Sequence, residues 1–264
     1  MITFAAFTPH SPLLIDSIGK ENATKLEITR QSMKRLSEEL YASHPDVILL
    51  VGTQRHAHTD AFSANVHDAY DIDFTEFGDL STHAEFAPDL ELMTAMQNKM
   101  QSEKIPFTLD SESALDYGAG VPLALLARFP IKPLLIPVSY CDLSPKLHIQ
   151  FGRALKDVCL ASKKRIAIIV SGDLSHTLAS DAPAGFHEAG TLFDETMQQA
   201  IQQMSISQLL ALDSTLVSNA RESAYKPLLI LFGVLERMSV RPEILSYEHP
   251  FGVGELVAQF HFSS

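Results

Sequence analysis

The sequence predicts an α/β fold, a single layered domain with helices on both faces of a mixed, partly parallel sheet. Three observations predict it. The runs VILLVG, KPLLIPVS and RIAIIVSG are continuous apolar blocks, which suit strands buried on both faces; a half-exposed strand would alternate. Stretches with apolar residues at helical spacing separate them, and strand–helix alternation is the mark of a sheet covered by helices. The 264 residues, 46% hydrophobic and 20% charged, are enough to bury roughly three quarters of the unfolded surface without disulfide or metal staples.

In chain order, strands are expected at residues 2–7, 47–52, 133–139, 165–171 and 256–262. The first, ITFAAF, ends where Pro9 and Pro12 interrupt the apolar stretch and fix the backbone on either side of His10. The last, ELVAQFHF, alternates and so belongs nearer an edge. Helices are expected at 21–43, 89–103, 121–129, 144–162, 193–204 and 223–237. The last of these carries the apolar run PLLILFGVL, which suits the core better than a partner surface. Residues 56–86 are polar, rich in Asp and Thr and without period. They read as a long excursion or an irregular pair of strands, and long ordered loops are often functional. No repeat, low-complexity tract or linker divides the chain, so residues 1–264 read as one catalytic domain.

Composition excludes several functions. With 20 Lys+Arg against 32 Asp+Glu the net charge is −12. No basic footprint exists for nucleic acid or an anionic membrane. No stretch approaches ~18 apolar residues, and the N-terminus has no basic region before its apolar residues, so a cytoplasmic protein is expected. Two cysteines, Cys141 and Cys159, make neither a disulfide framework nor a four-thiolate zinc site. Eleven histidines remain, so any metal site is built from imidazole and carboxylate. There is no GxGxxG unit, Walker loop or GxSxG elbow.

The histidines are not evenly placed. His10 follows ITFAAF in TPHSP, His56 and His58 follow VILLVG in TQRHAH, and His176 follows RIAIIV in SGDLSH. In open α/β sheets ligands gather outside the carboxyl ends of the strands, so three strands delivering imidazoles there is a candidate site. A lone histidine at a strand end is more often a hydrogen-bonded structural residue, and the threefold recurrence is what weakens that reading. Glu222 opens the helix around PLLILFGVL. There it is either a favourable charge at a helix N-terminus or the carboxylate of a two-histidine, one-carboxylate metal triad. His44, His83 and His148 lie in polar, surface-like contexts, and His67, His187, His249 and His261 read as structural or surface residues.

PHSPLLI, SGDLSH, ARESAYKPLLILFGVLE and YEHPFGVGELVA, in that order, resemble the class III extradiol ring-cleavage dioxygenase superfamily. That group is typified by the catalytic subunit of protocatechuate 4,5-dioxygenase and includes Memo-like proteins. The resemblance implies Fe(II) held by His10, His56 and Glu222, with His58 as the alternative to His56 and Zn(II) as the alternative ion. It implies His176 as the acid/base that is not a ligand, with Asp173 and Ser175 supporting it. Tyr117 stands where ring-cleaving members often have a histidine beside the substrate, and Glu255 stands where an aromatic residue is expected. The implied partners are a small aromatic diol and dioxygen, in a chain that is a possible homo-oligomer. Rival expectations on the same scaffold are a Memo-like metal-binding protein without ring cleavage and a zinc-dependent hydrolase.

Overall fold

A computed structural model of the chain describes residues 1–53 and 58–263. β1 (Ile2–Thr8) is followed by α1 (Asp16–Gly19), α2 (Glu27–Ala42), β2 (Val47–Thr53), β3 (Phe62–Asn65), β4 (Tyr70–Asp73) and β5 (His83–Phe86). Then come α3 (Leu90–Ser102), β6 (Phe107–Asp110), β7 (Ala114–Leu115), α4 (Tyr117–Leu126), β8 (Leu134–Ser139), α5 (Pro145–Ala161) and β9 (Ile166–Ser171). The chain closes with α6 (Ala189–Gln203), α7 (Ile206–Leu210), α8 (Ser214–Ala220), α9 (Tyr225–Leu235), β10 (Val240–Glu248) and β11 (Glu255–Phe262).

The main sheet runs β10-β11-β1-β9-β2-β8-β3-β6, and a smaller one runs β5-β4-β7. β1, β9, β2 and β8 are mutually parallel, so their carboxyl ends open on one side. β9 is buried at every position, as its unbroken apolar run requires. Burying each of its Ile and Val side chains is worth ~1.5–3 kcal/mol. α9 is buried except at Lys226 and lies backbone to backbone on α5. A Cβ at Gly152 would sit 2.1 Å from the Ile230 carbonyl oxygen, and one at Gly233 2.3 Å from that of Ile149. This contact fixes where the N-terminus of α9, and hence Glu222, lies.

Two expectations are corrected, and one is sharpened. The terminal strand does lie nearer an edge, since β11 is second from the end of the sheet, between β10 and β1, but residues 255–260 are buried. The true edge is β10, whose half-buried, Pro242-containing sequence carries no clear apolar period. The helix expected from residue 121 begins at Tyr117, because the Asp116 carboxylate caps it by accepting the Ala119 N–H at 3.2 Å. His148 is not a surface residue. It is fully buried, its ring nitrogens 3.0 and 3.2 Å from the Ser144 and Cys141 carbonyls, and burial pushes its pKa down. The polar excursion forms β3, β4 and β5, the last two joined in the smaller sheet.

Candidate active site

The site forms where β1 and β9 end side by side. The two strands stay in register through Thr8 and Ser171, and the Gly172 N–H donates to the Thr8 carbonyl at 3.0 Å. The next residues of each strand then meet. The His10 N–H donates to Asp173 Oδ1 at 2.9 Å, His10 Nδ1 lies 3.0 Å from Ser171 Oγ, and His10 Nε2 lies 3.5 Å from Asp173 Oδ2. His10 is 1% exposed, so none of these groups is satisfied by bulk water.

A third segment closes on them. The Asp173 N–H donates to Ser223 Oγ at 2.9 Å, the Ser223 N–H returns a bond to the Asp173 carbonyl at 3.0 Å, and Ser223 Oγ stands 3.3 Å from His10 Nε2. The His176 N–H donates to the Ala220 carbonyl at 2.9 Å. That leaves the His176 ring with Nε2 buried, 3.7 Å from Asp173 Oδ2 and without a hydrogen-bond partner among the described residues. Glu222 sits between these anchor points and accepts the Tyr225 N–H at 2.6 Å.

The electrostatics follow from this packing. Burial opposes ionisation of Asp173, but the His10 and His176 rings and the bond from the His10 N–H outweigh it and hold its pKa below the ordinary carboxylate value. Burial pushes Glu222 up to about 7 against the opposing pull of the Tyr225 and Ala224 amides. Lys226, which also favours the charged form, is itself paired with Asp142. Glu255 is buried, with Oε2 making no hydrogen bond; burial and then the Asp173 charge push its pKa well above the usual range. Burial, then the Asp173 charge, also raises Tyr117, which stays a neutral phenol. Its ring stands edge-on to His10, centroids 5.3 Å apart at 88°.

The expected site residues therefore divide. His10, Asp173, His176 and Ser175 come together, with Tyr117 against His10 and Glu222 beside Ser223. His56 lies outside the described residues. His58 Nε2 is 2.9 Å from Asp110 Oδ1, at the end of β6. Sequence reasoning missed Ser223 and Tyr140. Tyr140 follows β8 directly, where burial and then the Glu222 charge raise its pKa; the strand-end rule that found the histidines would have found it.

The donor chemistry fits a divalent metal. An imidazole with Nδ1 fixed by an oxygen and Nε2 presented is how metal-binding histidines are usually oriented. A buried carboxyl raised by desolvation is one that a cation returns to its charged form. Among the described residues no three His, Cys, Asp or Glu side chains are grouped closely enough to hold a metal. No helix among the described residues is long and apolar enough to cross a membrane.

Comparison with known proteins bears on the same residues. The family model described as the catalytic LigB subunit of aromatic ring-opening dioxygenase matches residues 4–258. Protein CA_C1420 of Clostridium acetobutylicum is 26% identical over 255 residues, 93% of this chain and 54% of that protein. The chain thus spans about half the length of the curated relative it matches. The crystal structure of the uncharacterized protein JW3007 from Escherichia coli K12 shares the fold, with a TM-score of 0.68 at 20% identity over 98% of this chain and 99% of that one.

Proposed function

The chain belongs to the family of the catalytic LigB subunit of aromatic ring-opening dioxygenase, and from that membership we propose that it opens a catechol-type ring with dioxygen, cleaving the bond just outside the two hydroxyls. The observation that carries the reading is the His10–Asp173–His176 constellation at the carboxyl ends of β1 and β9. His10, His56 and Glu222 would hold a divalent iron, with His58 the alternative to His56. When bound, iron lowers the pKa of the diol hydroxyls and carries electron density between the diol and dioxygen; zinc would supply only the first.

The remaining work falls to the chain. His176 Nε2, without a hydrogen-bond partner among the described residues, takes a proton from a diol hydroxyl and returns it as the ring opens, the work of a positioned general acid/base. Asp173, held ionised, stabilises the imidazolium in between. Ser171 on Nδ1 keeps the His10 ring turned so that Nε2 faces the site. Tyr117, a phenol at neutral pH, donates a hydrogen bond to the substrate but cannot shuttle its proton there. The whole of residues 1–264 would act as one catalytic domain on a small aromatic diol.

The test is to load the protein with Fe(II) without air, add a panel of catechols and admit oxygen. A yellow ring-opened semialdehyde is expected, and His10→Ala is expected to lose tight iron binding. Iron bound with no product across the panel would overturn ring cleavage. It would favour the second reading, metal binding without ring cleavage, for which Tyr117 in place of a histidine is the argument.

A further inference from the structure

The loop that carries His176 is held from behind by a buried carboxyl that bonds the Ser175 amide. Asp194, on α6 and 1% exposed, accepts the Ser175 N–H on Oδ1 at 2.8 Å and the Tyr247 hydroxyl of β10 on Oδ2 at 2.7 Å. Gly254 leaves it room: a Cβ there would lie 2.2 Å from Asp194 Oδ2. The same glycine pins the loop, its carbonyl accepting the Leu174 N–H and its N–H donating to the Ser175 carbonyl, each at 2.9 Å. With the bond from His176 N–H to Ala220, the backbone amides of residues 174, 175 and 176 are tied to three different parts of the chain.

We propose that Asp194 is a positioning residue for His176, acting through the backbone amide of Ser175, and that Tyr247 in turn orients Asp194. The rate measurement for this role rests on the ring-cleavage reading; the geometry does not. Burial pushes the Asp194 pKa up to about 7, partly offset by the Ser175 and Tyr247 bonds and by the His176 charge. Asn at this position keeps an oxygen for Ser175, and Tyr247 can turn its hydroxyl to accept, so Asp194→Asn removes the charge with little loss of packing.

The test uses the iron-loaded full chain with Asp194→Asn, Asp194→Ala and Tyr247→Phe. Asp194→Ala, which leaves the Ser175 amide without its acceptor, is expected to bind iron as the parent does, with KM within about 2-fold and kcat lower by about 10-fold or more, since sub-ångström displacement of a catalytic group costs that much, and Asp194→Asn, which keeps an acceptor, is expected to lower kcat less. Tyr247→Phe is expected to lower kcat in the same direction by a smaller factor. In parallel, the imidazole nitrogen resonances of His176 are expected to move in Asp194→Ala and to stay put in Asp79→Asn, a change in the connection between β4 and β5. Unchanged kcat in the folded Asp194 variants overturns the proposal, and so does a fall in KM-matched activity that only tracks loss of folded protein. If neither Asp194 variant folds, unchanged kcat in Tyr247→Phe overturns it. If the parent turns over no catechol, ring cleavage fails by itself, and unmoved His176 resonances then overturn the positioning role independently.

Discussion

Two polar segments reach toward the His10 imidazole, one directly and one through Tyr117, and are built in opposite ways. In residues 171–176 the polar groups reach outward: Ser171 and Asp173 bond His10, Asp173 bonds Ser223, His176 bonds Ala220, and Ser175 bonds Asp194 and Gly254. In the excursion from β3 to β5 they turn on their own neighbours and on the residues that follow β6. Asp73 accepts from the Thr75 amide and hydroxyl, and Asn65 accepts the His67 and Glu112 amides, while His67 Nδ1 pairs with Ser111 Oγ. Asp79 accepts from Ser81 and Thr82, with Ser17 as a more distant donor. The excursion reaches the site through Phe77, 37% exposed, whose ring meets Tyr117 edge-on at 5.9 Å. A wall fixed by hydrogen bonds from several elements holds a proton-transfer group to a fraction of an ångström. A wall that meets the site through one exposed ring is suited to shape the space a substrate fills. The first should govern rate and the second selectivity.

The largest expected effect breaks or keeps that division at once. His176→Ala should retain iron and lose kcat by about 10²–10⁴-fold, the usual worth of a positioned acid/base, with metal content and steady-state kinetics measured on the same preparation. Retention of most of the turnover would move the proton chemistry out of the 171–176 loop. Phe77→Ala sharpens the other half. It should raise KM by about 2- to 10-fold, what one aromatic edge contact contributes, and leave kcat alone. A fall in kcat with KM unchanged would place the excursion on the chemical side of the site.

What could be read in the sequence follows the same line. The central strands were legible because burial on both faces writes a continuous apolar run. His10 and His176 were legible because each follows such a run within a few residues. Glu222 needed the family resemblance, since a carboxylate at a helix start has an ordinary explanation. Ser223, Tyr247 and Asp194 were illegible because their roles exist only where residues far apart in sequence meet. The burial of β11 despite its alternation has a physical reason too. β11 alternates because Glu255 and Gln259 are polar, yet both are buried, so its polar positions face the protein interior and β10 instead of water. Period-2 patterning reports polarity, and polarity coincides with exposure only where no buried polar group is wanted.

Asp79 gives the smallest effect and the cleanest contrast, because it holds the excursion together without touching the chemistry. It is 3% exposed and accepts from the Ser17 hydroxyl, the Ser81 amide and hydroxyl and the Thr82 amide. These bonds, that of Ser17 foremost, hold its pKa well below the ordinary carboxylate value. The unfolded chain therefore binds the proton before the folded one does. The stabilisation is fully present above the unfolded pKa of ~3.9 and is lost as pH falls through the lower folded value. Asp79→Asn should lower the melting temperature by about 2–4 °C near neutral pH, what a net loss of ~1 kcal/mol is worth in a chain of this size. That gap should narrow as the parent is acidified below the ordinary carboxylate range, while kcat with saturating substrate stays at the parent value throughout. A gap that persists undiminished in acid would mean that the ionised form of Asp79 is not what ties the excursion to residue 17. A loss of kcat would mean that the two walls are mechanically joined, and that the excursion contributes to holding His10 as well as to shaping the pocket.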